Sequence, residues 1–298
     1  MLDMPIFPKK TLIALSAIVV FGTTYSVVYN TYLDTSNPLL THLPHPLHKS
    51  HYFASKSNIL NVLFIKKLWG WTSAAFLALY LTSPPRLQTR ERLYKFLTET
   101  ALWLLFTGWF FGPSLLERLT YSTGGECLVH LPSGALVTVP SELCYTKSTV
   151  SATTHPELFA ASLAPPAADW RQVPRVRRGH DVSGHMFLLT MAVLFLAEQV
   201  SHSVRLHAAG GAQEMSAVHK WVVLGNVGVI ALGYLACYTT SVYFHTPFEK
   251  FTGFCESRVC LAACEANGFY HLVLGLAGYA VTRTPLFRSV LPPHPRQS

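Results

Sequence analysis

Two histidines stand where polar residues meet long apolar runs. His185, in DVSGHMFLL, heads one run, and His245, in YFHTPFEK, ends another. Two imidazoles at one depth suit phosphoryl transfer: one attacks phosphorus and forms a phosphohistidine, and the other protonates the departing oxygen. A third group must hold the attacking ring in its useful tautomer. Glu249 lies four residues after His245, one helical turn, and its carboxylate reaches the ring if the helix continues, although Pro247 stands against that continuity. Ahead of His185, Ser183 and Gly184 would offer backbone amides to a phosphate at a helix N-terminus. Asp181 or Ser183 reads equally as the N-cap, so Asp181 is a capping or orienting group rather than a catalyst. A lone histidine at a membrane interface is ordinarily just an interfacial polar residue; the pairing and the flanking residues carry the chemical reading.

The elements that hold these residues are membrane helices. Of 298 residues, 50% are hydrophobic and 13% charged, with mean hydropathy +0.30, where soluble domains carry about 25% charged residues. Six spans are expected: Thr11–Tyr32, Ile65–Leu81, Leu93–Phe111, Ser183–Val200, Val218–Phe244 and Gly268–Val281, each near the ~20 residues that cross hydrocarbon. Consecutive spans run antiparallel, so the start of the fourth and the end of the fifth share one face, and both histidines with them. Lys9 and Lys10, the Arg86–Lys95 cluster, and Arg283 with Arg288 fall on the other side, which the positive-inside rule makes cytosolic. Both termini (1–10 and 283–298) are then cytosolic tails, and the histidines face a lumen. The net charge of +8 sits beside apolar runs with no basic face interleaved with aromatics, which excludes nucleic acid as a partner and fits topology and anionic headgroups. Lys9 and Lys10 before an apolar run also resemble a signal peptide, but no small-residue cleavage site follows, so an uncleaved anchor is expected.

The chain reads as a single membrane domain, 1–298, with residues 114–180 forming a long lumenal loop. That loop contains Arg175, Arg177 and Arg178, which the charge rule tolerates in loops beyond about 60 residues. Within it, CLVHLPSGALVTVPSELC reads as a hairpin, and STVSATTHPELFAASLAPPAADW as a mobile, low-complexity stretch. Cys127 and Cys144 flank the hairpin, and Cys255, Cys260 and Cys264 follow another lumenal segment; a lumenal disulfide is open to them, but spacing assigns no pairs. His42, His45, His48 and His51 fall at every third position, which lines them along one edge of a polyproline II turn, although a plain polar loop accounts for them as well. Trp69 and Trp71 fit an aromatic belt at the interface.

Ser183-Gly184-His185 resembles the second motif, P-S-G-H, of the lipid phosphatase and phosphotransferase superfamily, and His245 through Glu249 the end of its third, H-x-x-x-D. Together, NVLFIKKLWGWTS, TGGEC, DVSGHMFLL and YFHTPFEK resemble the fat storage-inducing transmembrane (FIT) family, in order and across spans two to five. The resemblance implies a six-span endoplasmic reticulum protein with a lumen-facing site. It also implies a fatty acyl-CoA diphosphatase that splits the CoA pyrophosphate into acyl-4'-phosphopantetheine and adenosine 3',5'-bisphosphate and supports lipid droplet formation and ER lipid homeostasis. His245 is then the nucleophile and His185 the acid. The expected partners are fatty acyl-CoA, neutral lipids and the lipids of the ER bilayer.

The superfamily arginine six residues before the nucleophile is replaced here by Thr239, and no K-x6-R-P motif is present. The phosphate clamp must come from elsewhere: Lys66 and Lys67, which match the FIT motif, or Arg177, Arg178 and Lys250. A phosphohistidine mechanism needs no cation, so neither metal nor cofactor is expected. Other functions stay open: a non-catalytic scaffold that partitions di- or triacylglycerol into droplets, a lipid phosphate phosphatase, or a histidine-ligated haem protein. The fold class is all-α: about six transmembrane helices and the long loop with its small hairpin.

Overall fold

A computed structural model describes residues 6–34, 44–107, 114–159, 167, 169–210 and 215–265. The long helices are α1 (Ile6–Val28), α2 (Leu68–Thr82), α3 (Arg90–Thr107), α6 (Gly184–Ala208), α7 (Ala217–Tyr243) and α8 (Pro247–Glu265). Among the described residues four helical stretches are long and apolar enough to cross a membrane: Phe7–Val28, Leu60–Thr82, Gly184–Ala208 and Ala217–Tyr243. They match the expected first, second, fourth and fifth spans; the expected sixth span and the C-terminal tail lie outside the described residues.

The central helix is α6. Within its span 78% of residues are buried, against 33–39% in the other three. The reason is in its sequence: MFLLTMAVLFLAEQV is apolar all round, as a helix enclosed by neighbours must be, and Met186, Leu189, Met191, Phe195, Ala197 and Val200 are fully buried. The enclosing helices keep apolar residues on their outer faces, such as Phe21 and Val28 on α1 and Trp221 and Leu224 on α7, which fits lipid as their solvent. Where backbones must approach, glycine makes room: a Cβ at Gly22 would meet Ser241 Cβ at 2.6 Å, and one at Gly233 would meet Val193 at 2.3 Å.

The third expected span corresponds to α3, which runs beside α6 from Arg92, level with Gln199, to Phe106, stacked on Phe187. Its charges keep it outside the set of four. Those charges are matched internally: Arg92 Nε donates to Gln199 Oε1 at 2.9 Å, and Lys95 pairs with Glu198. At the same end His219 bridges Ser203 Oγ (3.0 Å) and Thr82 Oγ1 (2.9 Å), so buried polar groups are satisfied across three helices.

Trp69 overturns the belt reading. It is 5% exposed and stacks between Phe96 and Trp103, because it faces α3 rather than the outer surface. Trp71, about half exposed, points outward, and its Nε1 donates to the Leu63 carbonyl at 2.8 Å. That carbonyl belongs to an irregular entry: a π turn at Leu60–Phe64 and a 3-10 turn at Ile65–Lys67 precede α2. Such turns misalign backbone groups and need side-chain partners.

Residues 114–159, 167 and 169–183 fold into a small layer over one end of the bundle. It comprises α4 (Leu115–Ser122), β1 (Glu126–His130), β2 (Leu136–Thr138), α5 (Ser141–Tyr145), β3 (Val150–Ser151), β4 (Arg171–Gln172) and β5 (Arg175–Arg177). The expected hairpin forms: β1 and β2 pair antiparallel through Val129 and Val137, and the turn uses Gly134 at φ +82°. Cys127 and Cys144 are joined as a disulfide, with Val129, Val150 and Phe159 buried around them. In the stretch read as mobile, the described residues carry fixed contacts: β3 pairs with β4, and Phe159 packs edge-on against Trp170. β5 pairs with the other edge of β1, with Cys127 opposite Val176. Period-two alternation then turns Val176 toward the disulfide and leaves Arg175 and Arg177 together on the opposite face.

The spaced histidines do not line one edge. The chain turns tightly after Pro44, and His45 Nδ1 accepts the Leu47 N–H, while His45 itself packs edge-on against Tyr243 and Phe244. His42 lies outside the described residues.

Candidate functional site

The site forms where α7 hands over to α8 beside the start of α6. The end of α7 is tied to the end of α1: Leu33 N–H donates to the Tyr243 carbonyl (3.0 Å) and Thr31 Oγ1 to the Val242 carbonyl (2.8 Å). These bonds satisfy carbonyls that a helix end leaves orphaned. His245 follows at φ +62°, a left-handed conformation that non-glycine residues adopt rarely and at a cost. A histidine held there against its backbone preference points to a role for its ring.

Pro247 does not interrupt a helix; it begins one. Thr246 and Glu249 form a reciprocal cap, with Thr246 N–H donating to Glu249 Oε2 (2.8 Å) and Glu249 N–H to Thr246 Oγ1 (3.4 Å). TPFE is thus a capping box with proline at the first helical position. Those signals were present in the sequence, and the expected spans passed over α8. The cap also fixes the Glu249 carboxylate beside His245, with Oε2 3.5 Å from Nδ1. Glu249 reaches the ring as expected, but around a left-handed turn instead of along a continuous helix.

The first turn of α6 is capped by Ser183, whose Oγ accepts the Met186 N–H at 3.3 Å. That decides the N-cap between Ser183 and Asp181. It also removes Ser183 from phosphate contact, since its N–H donates to the Glu249 carbonyl at 3.1 Å. α6 and α8 are therefore stitched at the site itself. The charges that act on His185 are those of His245 and Lys66, which supports the expected convergence of the two histidines. Lys66 and Lys67 are both exposed in the 3-10 turn before α2, and of the two it is Lys66 whose charge acts on His185.

Asp181 stands half-buried among His245, Glu249, Arg177 and His180. Burial pushes its carboxyl up, with Glu249 adding to the rise, while His245, Arg177 and His180 pull it down. His180, passed over in the sequence, is anchored by Nε2 to Thr252 Oγ1 (2.9 Å) and lies on the Phe248 ring. Of the reserve cations, Arg178 pairs with Glu126 at 2.8 Å on the surface. Lys250 is fully buried and donates to Ser26 Oγ (2.9 Å) and the Ser241 carbonyl (2.6 Å). It cross-links α8 to α1 and α7 and does not face the histidines. Thr239, where the superfamily has arginine, is buried and bonded to the Ala236 carbonyl. Among the described residues no group of three or more His, Cys, Asp or Glu side chains converges to hold a metal.

Gly253 meets Ser183 at the α6–α8 junction: a Cβ there would lie 2.6 Å from the Ser183 carbonyl oxygen. Gly253→Ala is expected to push α8 away and loosen the Ser183–Glu249 bond, costing about 1–3 kcal/mol of stability. A lowered melting midpoint in detergent checks this; an unchanged midpoint would show that the junction gives way easily.

The model of the fat storage-inducing transmembrane protein family matches residues 49–223, more than half of the chain. The chain belongs to the FIT family. It is 28% identical over 204 residues to the acyl-coenzyme A diphosphatase fit1 of Schizosaccharomyces pombe, covering 68% of each chain. It is 26% identical over 250 residues to the acyl-coenzyme A diphosphatase FITM2 of Danio rerio, covering 83% of this chain and 80% of the relative. The fat storage-inducing transmembrane protein 1 of Mus musculus is 29% identical over 206 residues, 67% of this chain and 59% of its own. No solved structure matches this FIT-family chain. The family match includes Lys66, Asp181 and His185 and ends before His245 and Glu249, so the second half of the site stands on the geometry described above.

Proposed function

We propose that this FIT-family protein is a fatty acyl-CoA diphosphatase of the endoplasmic reticulum membrane, a hydrolase that splits the CoA pyrophosphate by way of a phosphohistidine. The observation that carries the proposal is His245, held in a left-handed turn with Glu249 3.5 Å from its Nδ1 and its charge acting on His185. Relatives with acyl-coenzyme A diphosphatase in their names support the substrate class.

The chemistry follows from the contacts. Nδ1 of His245 is buried without a hydrogen-bond partner among the described residues, with Glu249 Oε2 3.5 Å away; closing that gap lets Glu249 hold the proton on Nδ1 and leaves Nε2 to attack phosphorus. The new N–P bond forms as the bridging P–O bond breaks, and His185 gives its proton to the departing phosphate oxygen. Water then attacks the phosphohistidine, His185 takes the water's proton, and the N–P bond breaks, so one water is consumed in each cycle. Two of the four amides that a helix start leaves unpaired are occupied at Ser183 and Met186. Gly184 and His185 hold the other two, which can donate to a phosphoryl oxygen. Lys66 supplies positive charge, and Asp181 orients and balances the cluster.

The deciding experiment is turnover of a panel of acyl-CoAs and lipid phosphates by the purified protein in detergent. Release of adenosine 3',5'-bisphosphate is the expected product signal. Turnover of lipid phosphates alone would move the protein to the phosphatases, and no turnover of either class would favour the lipid scaffold.

The exposed lysines separate cleanly. Lys66→Gln should lower kcat/KM for acyl-CoA by about tenfold or more, through loss of charge at the phosphates. Lys67→Gln should change it less than about twofold. Equal effects would make both lysines interfacial anchors instead.

By the same reading the histidines face the ER lumen and the N-terminus the cytosol, supported by the basic residues that gather at the far end of the bundle, from Lys9 and Lys10 to Arg92 and Lys95. Cysteines introduced beside His185 and His245 should resist impermeant thiol reagents in sealed microsomes until the membrane is opened.

A further inference from the structure

Beside Asp181 lies a cavity of about 390 Å³ in the extramembrane layer, within the ~300–1,000 Å³ range of ligand pockets. Lys147, Arg175 and Arg177 line it, against the carboxylates of Glu117 and Asp181. Glu117 is committed to the α4 cap, where Oε2 accepts the Ser114 N–H at 3.3 Å. Burial holds the Asp181 carboxyl above its ordinary value. Arg177 Nε is buried without a hydrogen-bond partner among the described residues. Lys56 adds to the crowd of cations: burial lowers its pKa first, and then the charges of Arg177 and Arg175 lower it further. Clustered positive charge with one buried guanidinium N–H unpaired, that of Arg177, suits an anion.

The placement is specific. Arg175 and Arg177 share one face of β5, while Val176 on the other face holds the strand to the disulfide core. Cys144 lines the cavity too, so the Cys127–Cys144 bond fixes the wall that carries Lys147. Val173 and Pro174 give the cavity an apolar side suited to a flat base. Asp181 belongs both to this wall and to the charges that act on one another around His245, so the cavity and the histidine pair meet at Asp181.

We infer that this cavity binds the 3'-phosphoadenosine end of the substrate, with Arg175 and Lys147 on the 3'-phosphate and Arg177 toward the pyrophosphate. The inference rests on the diphosphatase reading above and adds to it a subsite that selects a 3'-phosphorylated nucleotide. An acyl chain has no use for these cations, and the pyrophosphate alone does not require a pocket this large. The cavity thereby distinguishes CoA thioesters from simple lipid phosphates and from dephospho-CoA.

Two arms test it on the full chain in detergent. In the first, equilibrium binding of adenosine 3',5'-bisphosphate is compared with that of adenosine 5'-monophosphate. The wild type should prefer the bisphosphate by at least about tenfold, and the Arg175→Gln/Lys147→Gln double variant should lose most of that preference while binding the monophosphate as before. Both side chains are exposed, so folding should be untouched, and an unchanged melting midpoint confirms it. In the second arm, palmitoyl-CoA is compared with palmitoyl-dephospho-CoA; the dephospho ester should show a KM at least about tenfold higher at similar kcat. Equal affinity for the two nucleotides in the wild type overturns the subsite. Turnover of both esters with equal KM also overturns it and leaves the diphosphatase reading standing. Selective bisphosphate binding that depends on Arg175 and Lys147, with neither ester turned over, overturns the diphosphatase reading and upholds the subsite.

Discussion

Replacing His245 by alanine should abolish turnover of acyl-CoA in purified protein, a loss beyond the ~10²–10⁴-fold that removal of one acid–base group costs. The difference arises because the nucleophile carries the covalent intermediate and has no substitute. His185→Ala should fall within that range, since water can partly replace an acid. Glycine at position 245 tests the same point from the opposite side. Glycine accepts φ +62° without the penalty that an L side chain carries, about 1–2 kcal/mol in this region. Loss of the ring's contacts and glycine's greater freedom when unfolded offset part of that gain, so His245→Gly should melt at or above the wild-type temperature while remaining inactive. A thermal melt in detergent beside a product assay reads both quantities. Activity retained by either variant would remove the phosphohistidine mechanism; inactivity accompanied by unfolding would make His245 a structural residue.

Lys250→Ala should be the most destabilising single change at the site, by about 3 kcal/mol. It empties a filled volume and strips a donor from the orphaned Ser241 carbonyl at the end of α7. It should reduce turnover indirectly as well, because Lys250 fixes α8, whose first turn carries Glu249. Its dependence on pH has a definite sign. Burial lowers the Lys250 pKa to about 7, against a smaller opposing pull from Glu249; its Nζ also lies 5.3 Å from the Tyr32 ring centroid. Between pH 7 and 10.5 the unfolded chain keeps the proton and the folded chain releases it, so this group's contribution to stability rises with pH across that window and is lost as pH falls through 7. Lys250→Met keeps the volume and removes the titration. The melting midpoint of the wild type should therefore gain on that of Lys250→Met from pH 7 to pH 9.5. Parallel curves would show that the ammonium is charged throughout and carried by its two hydrogen bonds.

Much of the site was legible because membrane topology turns sequence into place. Apolar runs of the right length announce spans, and antiparallel succession puts the head of one and the tail of the next on the same face. His185 and His245 could thus be paired from 60 residues apart with no coordinates. The nearness of Glu249 to His245 was expected from helical spacing but arises from the capped turn between them, and the hairpin around Gly134 followed from its turn residues. These are local rules, and the lipid environment enforces them strongly.

What the tertiary structure decided depends on who neighbours whom. Pro247 was compatible with breaking a helix or beginning one, and only the turn at His245 selected the second. Ser183 and Asp181 were equal as caps until the Ser183 hydroxyl took the Met186 amide. Trp69 suited an interface by type, yet α3 covers it. Arg178 and Arg177 are adjacent in sequence, but one pairs with Glu126 on the surface while the other lines the cavity with Asp181, because β5 pairs with β1 in a single register. Helical periodicity and apolar run length are properties of a segment, set by backbone geometry and the thickness of hydrocarbon. Pairing, burial and charge partnership are properties of two segments at once, and sequence order alone does not specify the distance between them.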